Sequence, residues 1–235
     1  MKRFLSQCRA RLSSLPPLLV ALTVLSVVGM NLLANKSIDT GLPWLALDGG
    51  ILFSWLTFLT MDILTHSYGP RDASLVSVVA LGLNLCMALI FFLASRIPGV
   101  WGESFVDGSE QIINSALNNT FAGTWFIILG SSVAFLASSL LNNYLNYGIG
   151  LLVGKGDGFG VFALRAYVST FLGQFADNLI FALLVSRIFF GWTGLQCFTC
   201  ALTGAVMELL FEVLFSPFGY GISRRIRKQR KEGDA

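Results

Sequence analysis

The chain has 235 residues, 54% of them hydrophobic and 12% charged, with a formal net charge of +3. Its mean hydropathy is +0.71. Soluble domains carry about 25% charged residues, so this composition excludes an ordinary soluble domain and places the chain among integral membrane proteins.

A spanning helix needs about 20 mostly apolar residues, and six stretches qualify: 18–33, 44–64, 75–94, 121–144, 161–190 and 195–218. Helices and short connections use up the chain. The predicted fold is therefore all-α: one domain over 1–235, an integral membrane bundle of six transmembrane helices. The first stretch follows Lys2, Arg3, Arg9 and Arg11, as a signal peptide would. It is longer than a signal core, and Asn31-Leu-Leu-Ala-Asn35 is a poor cleavage site, so a retained span is expected. Asp48-Gly-Gly, Tyr68-Gly-Pro70, Ile97-Pro-Gly and Ser216-Pro-Phe-Gly punctuate the loops. The longest connection, 96–120, has room for a short amphipathic helix.

Polar residues mark the later stretches. The second carries Asp62, and the fourth carries a stripe of Ser138, Ser139, Asn142, Asn143 and Asn146. The glycine-rich segment 154–160 lacks a preceding strand and a G-K-[ST] ending, so it reads as a flexible cytoplasmic hairpin rather than a phosphate loop. On the fifth, Thr170, Gln174, Asp177 and Phe181 share one helical stripe, and Asn178 stands four residues after Gln174. Arg165 lies near the start of that stretch, where it can snorkel to the cytoplasmic surface. Glu208 and Glu212 lie one turn apart on the sixth, where mutual repulsion calls for a shared proton or an intervening cation.

A carboxylate at the bilayer centre costs roughly 2.5–3.5 kcal/mol on insertion scales. Asp177, halfway along its stretch, must therefore face the bundle interior, a partner or water. Carboxylates and amides from three helices, with aromatics nearby, suit a polar ligand at membrane depth: a flat N–H-bearing heterocycle, an amine, Na⁺ or H⁺. Phe58-Leu-Thr-Met-Asp62 also echoes Phe171 to Asp177 on an oppositely directed helix, as inverted repeats require.

Orientation follows from Lys and Arg. With the N-terminus inside, 13 of them fall on the cytoplasmic side and 3 (Lys36, Arg96, Arg187) outside. Both termini are then cytoplasmic, in a multi-pass protein of the cell's inner membrane. Anionic lipid headgroups account for the basic tail, and no nucleic-acid partner is expected. Cys197 and Cys200 read as small apolar packing groups. With His66 the single histidine, neither a metal site nor a cofactor is expected, and the sequence leaves a homo-oligomer open.

Three stretches carry a family resemblance. Asp62-Ile-Leu-Thr-His-Ser-Tyr68-Gly69 resembles the Asp-x-x-x-Glu-x-Tyr-Gly of the queuosine precursor transporters, a six-span branch of the vitamin uptake transporters. The run Ser169 to Phe181, with Gly173, Gln174, Asp177 and Asn178, resembles their Ser-x-x-x-Gly/Ser-Gln/Asn-x-x-Asp-Thr-x-x-Phe. Glu212-Val-Leu-Phe-Ser-Pro217 resembles their closing Glu-Val-Leu-x-x-Pro. The chain departs at His66, where relatives have Glu, at Asn142, where they show Gln-x-x-Asp, and at Glu208, where they have Lys. The resemblance implies an importer of 7-deazaguanine bases for queuosine salvage into tRNA, working by alternating access and coupled to a proton or cation. Asp177 and Gln174 would read the base edge, helped by Asn178, Asn142, Asp62, Glu208 and Glu212, with Phe181 stacking. Two other readings stay open: a substrate-capture subunit of an energy-coupling uptake complex, and an intramembrane enzyme using paired carboxylates. No H-E-x-x-H or G-x-S-x-G motif supports the second, so no catalytic residue is assigned.

Overall fold

The computed structural model describes residues 2–45, 47–101, 110–153 and 158–233. Helix α1 (Lys2–Ser13) is polar and basic. Pro16 and Pro17 end its path, since the first restricts the residue before it and the second lacks an N–H. Pro17 then opens α2 (Pro17–Leu33), which leaves α1 at 106°. The basic leader is thus a helix folded across the end of the bundle, tied to it by the Arg11–Asp72 ion pair at 2.8 Å.

Between α2 and the next helix, two short antiparallel strands, β1 (Ser37–Ile38) and β2 (Leu47–Asp48), form a hairpin in which Ser37 faces Asp48. Helix α3 (Ile51–Tyr68) therefore starts seven residues later than the predicted 44. The Asp48-Gly-Gly turn sets that start: Asp48 Oδ1 accepts the Gly50 N–H at 2.7 Å, an Asx-type bond that competes with helix.

The remaining helices are α4 (Pro70–Ala94), α5 (Glu110–Val153), α6 (Phe159–Phe181) and α8 (Gly194–Gly233). Helix α6 runs on through a π-helical turn (Ala182–Ser186) into the single turn α7 (Arg187–Phe189). All six apolar stretches are thus helical, though several bounds differ. Helix α5 takes in the second half of the 96–120 connection, whose residues 102–109 lie outside the described ones, as do 154–157 of the glycine-rich segment. Helix α8 carries the basic tail as far as Gly233. At about 1.5 Å per residue, its 40 residues outreach the ~30 Å hydrocarbon layer.

Among the described residues four helices are long and apolar enough to cross a membrane, or five if bent α1 and α2 form one span. Helix α2, with 17 residues, falls short in length. Helix α3 falls short in apolar character, because lipid does not surround it. It packs against α2, α4, α5, α6 and α8, and its buried side chains include Ser54, Thr57, Thr60, Asp62 and Thr65. By contrast α4 turns Val78, Leu83, Leu89, Ile90 and Leu93 outward. The polar helix sits inside and the apolar one outside, as lipid solvent requires.

Pro217 interrupts α8 and leaves the Val213 carbonyl without its helical donor. The neighbouring Ser216 hydroxyl donates to that carbonyl at 3.0 Å and pairs with the Tyr167 hydroxyl at 2.7 Å. Ser216→Ala is expected to cost about 1 kcal/mol of stability, read as the melting temperature in detergent. Adding Pro217→Ala should recover the part owed to Val213, which regains a backbone donor.

Candidate functional site

Polar side chains from α3, α5, α6 and α8 form a column along the bundle. It begins beside the α2–α3 hairpin, in a cavity with about 320 Å³ of empty space lined by Asn31, Asp48, Ser54, Ser131, Asp177, Asn178, Phe181 and Glu208 among others. Of the eight predicted site residues, Asp177, Asn178, Phe181 and Glu208 line this cavity. Asp62, Asn142, Gln174 and Glu212 do not.

Each cavity acid is held. Asp177 Oδ1 accepts from Ser138 Oγ at 2.7 Å, leaving Oδ2 for the cavity. Glu208 accepts from the Ser54 hydroxyl through Oε1 and from Asn178 Nδ2 through Oε2 at 3.1 Å. Gly204, one turn before Glu208 on α8, makes room for that amide: a Cβ there would stand 2.6 Å from Asn178 Nδ2. On the opposite wall Asn31 of α2 accepts from the Ser131 hydroxyl of α5. Phe181 is the aromatic side chain in the lining, while Trp55 stacks on Phe211 and Phe215 at the α3–α8 contact.

Asp48, Asn31, Ser54 and Ser131 were absent from the predicted site. Asn31 is an uncharged amide near the end of its apolar stretch, so the carboxylate criterion that singled out Asp177 passes over it. Asp48 was read only as turn punctuation, yet it places a third carboxylate in the cavity. Among the described residues no Lys, Arg or His lines it. Among the described residues no cluster of three or more His, Cys, Asp or Glu is placed to hold a metal ion. Three acids, two amides and one ring can receive N–H donors or an amine and cover one aromatic face.

One turn deeper the column changes character. Gln174, one turn before Asp177 and Asn178, is fully buried, and neither of its amide atoms has a hydrogen-bond partner among the described residues. The same is true of both carboxylate oxygens of Glu212, one turn beyond Glu208. The two glutamates therefore stand in different surroundings rather than as an isolated repelling pair.

Deeper still, Asp62 is saturated. Its Oδ1 accepts from Asn142 Nδ2 at 2.8 Å, Asn146 Nδ2 at 3.0 Å and, more weakly, Ser169 Oγ at 3.4 Å, and its Oδ2 accepts from Thr170 Oγ1 at 2.9 Å. Behind this node Arg165 donates from Nε and NH2 to the carbonyl and Oδ1 of Asn146, at 3.0 and 2.9 Å. Asp62 and Asn142 thus join α3, α5 and α6. Cys197 and Cys200 are buried free thiols packed with Ala182 and Trp192, in the packing role expected of them.

Two predictions follow these assignments. Asp62→Ala strands donors from two helices and should cost about 3 kcal/mol, roughly 6–12 °C in melting temperature. In the hairpin, burial pushes the Asp48 carboxyl up to about 6 against the opposing Gly50 bond. The folded state then holds this proton more tightly than the unfolded state. The resulting stabilisation is full below about pH 4 and lost as pH rises through about 6. Asp48→Asn should flatten the melting temperature across that window, leaving the variant more stable than wild type at pH 7 and level with it below pH 4. A wild-type slope in the variant would assign the pH response to another group.

Residues 48–222 match the family model described as "Putative vitamin uptake transporter". No curated protein and no solved structure matches the chain. The matched segment runs from Asp48 of the cavity through α8 beyond Pro217, and so contains the polar column from α3 onward. The chain belongs to the vitamin uptake transporter family, a multi-pass membrane protein of transporter type.

Proposed function

We propose that the chain imports queuosine precursors, 7-deazaguanine bases, across the inner membrane by alternating access for salvage into tRNA. The observation that carries this reading is the convergence of Asp177, Asn178, Glu208 and Phe181 on one cavity. A 7-deazaguanine presents a row of N–H donors on one edge and a carbonyl beside it. Asp177 Oδ2 accepts from the edge, Asn178 reads the carbonyl, and Phe181 covers the ring face. Asp48 and Glu208 add acceptors suited to an aminomethyl substituent.

In this proposal all six apolar helices span the membrane, with α2 and α3 completing the count, and the basic end of α8 faces the cytoplasm under the positive-inside rule. The base enters at the cavity, passes Gln174 and Glu212, and leaves past the Asp62 node as the helices rearrange. A proton or cation supplies the coupling energy.

Two measurements test this. A strain unable to make the precursors but supplied with them should regain queuosine in its tRNA when the intact gene is present, and lose it with Asp177→Asn. The purified protein in liposomes should accumulate labelled base under an ion gradient without ATP or partners. Normal salvage in a deletion strain would refute the substrate, and wild-type uptake by Asp177→Asn would refute the site.

A further inference from the structure

At the opposite end of the column a second cavity, with about 630 Å³ of empty space, is lined by Thr65, His66, Tyr147, Gly150, Arg165 and Arg227 among others. Its chemistry is the reverse of the first. Among the described residues two guanidiniums line it and no carboxylate does.

Arg165 is the fixed member. It is nine-tenths buried, and its bonds to Asn146 use Nε and NH2. Its guanidinium packs closely against the bare backbone at Gly150, where a Cβ would stand 2.6 Å from Cζ, 2.7 Å from Nε and 2.9 Å from NH1. That contact and the two bonds to Asn146 fix the fork, while NH1 has no bond to Asn146 and Arg165 lines the cavity. Across from it, Arg227 NH1 donates to His66 Nε2 at 2.9 Å, and the His66 ring meets Phe162 edge-on. Arg230 pins the same end, donating to the Ser67 carbonyl at 2.6 Å and covering Tyr68 at 4.7 Å. Two like charges, Arg165 and Arg227, are therefore held on one cavity, and they repel each other.

Planar, preorganised guanidinium forks match tetrahedral oxyanions through paired N–H bonds. Depth points the same way. Arg165 is six residues into α6, about 9 Å from its start, and His66 is two residues from the end of α3, which puts the cavity near headgroup level. We propose that this cavity is a phosphate-binding site, with Arg165 and Arg227 as its ligands, filled by a free phosphate group or by the phosphate of an anionic lipid headgroup. The site is independent of the substrate cavity and of the identity of the transported base.

The test uses the full-length protein. In detergent, sodium phosphate should raise the melting temperature above sodium chloride of equal ionic strength. Arg165→Lys, which keeps a cation beside Asp62 but removes the fork, should weaken the apparent phosphate affinity by about tenfold or more, as loss of a charge-assisted bond predicts. Gly150→Ala, which displaces the guanidinium, should do the same, and Arg227→Gln, outside the Asp62 node, provides the check if Arg165→Lys disturbs folding. Nanodiscs of phosphatidylglycerol against phosphatidylcholine separate the sources: protection by the anionic lipid alone, lost in the variants, assigns a headgroup, and protection by free phosphate in detergent assigns a soluble anion. Wild-type protein indifferent to both, or variants that respond as wild type does, would overturn the proposal.

Discussion

One carboxylate, Asp62, sets the arrangement of the bundle. Within a bilayer no water stands ready to answer it, so the protein must. Its acceptors draw Asn142 and Asn146 from α5 and Ser169 and Thr170 from α6. Satisfying it places α3 in the interior with the other helices around it. A ring of donors around one acid is worth most when every member is present, because a half-satisfied network leaves buried polar groups exposed to nothing. The same bonds bring Arg165 to the end of the column through Asn146 and align Asp177 with Ser138 one stage above. The acidic cavity and the basic cavity are thus two ends of one polar seam that meets at the node.

Much of this was legible in the sequence because membrane helices announce themselves by length and their functional residues by expense. Asp177 and Glu208 stand out as costly groups in apolar stretches and Asn178 by its spacing from Gln174, and the structure sets all three on one cavity. What the sequence could not distinguish was Asp62 from Asp177. Both are aspartates after a Phe-Leu pair, which starts four residues before Asp62 and six before Asp177, but their donors come from far along the chain: Asn142 lies 80 residues from Asp62 and Thr170 lies 108. One acid is saturated and the other keeps an oxygen for the cavity, a difference that only tertiary packing creates. Asp48 was missed for a local reason. A turn signal at Asp48-Gly-Gly explained the residue well enough to hide that its carboxylate also faces the site.

The hydropathy of α3 makes the same point from the other side. A helix surrounded by lipid must be apolar all round, whereas α3 meets protein on nearly every side. Its Thr, Ser and Asp residues, which lower its apolar character, are the interhelical bonds of the core, including Thr65 to Asn143 at 3.1 Å and Ser67 to Ser223 at 3.0 Å. Helix α4, which makes few such bonds, is the one that reads most plainly as a span.

Gln174 and Glu212 bear on the proposed transport cycle. A buried polar group without a partner costs about 1–3 kcal/mol, and these two side chains present four such atoms between the two cavities. A fold selected only for stability would have replaced them with apolar residues of similar volume, as buried ionic groups often can be without loss. Retaining them makes sense if their partners arrive during function: a base passing from the Asp177 stage supplies N–H donors to Glu212 and both donor and acceptor to Gln174. The closed, unliganded bundle is then raised in energy relative to the liganded one. That lowers the barrier to reopening and prevents the substrate-free transporter from settling too deeply in one state.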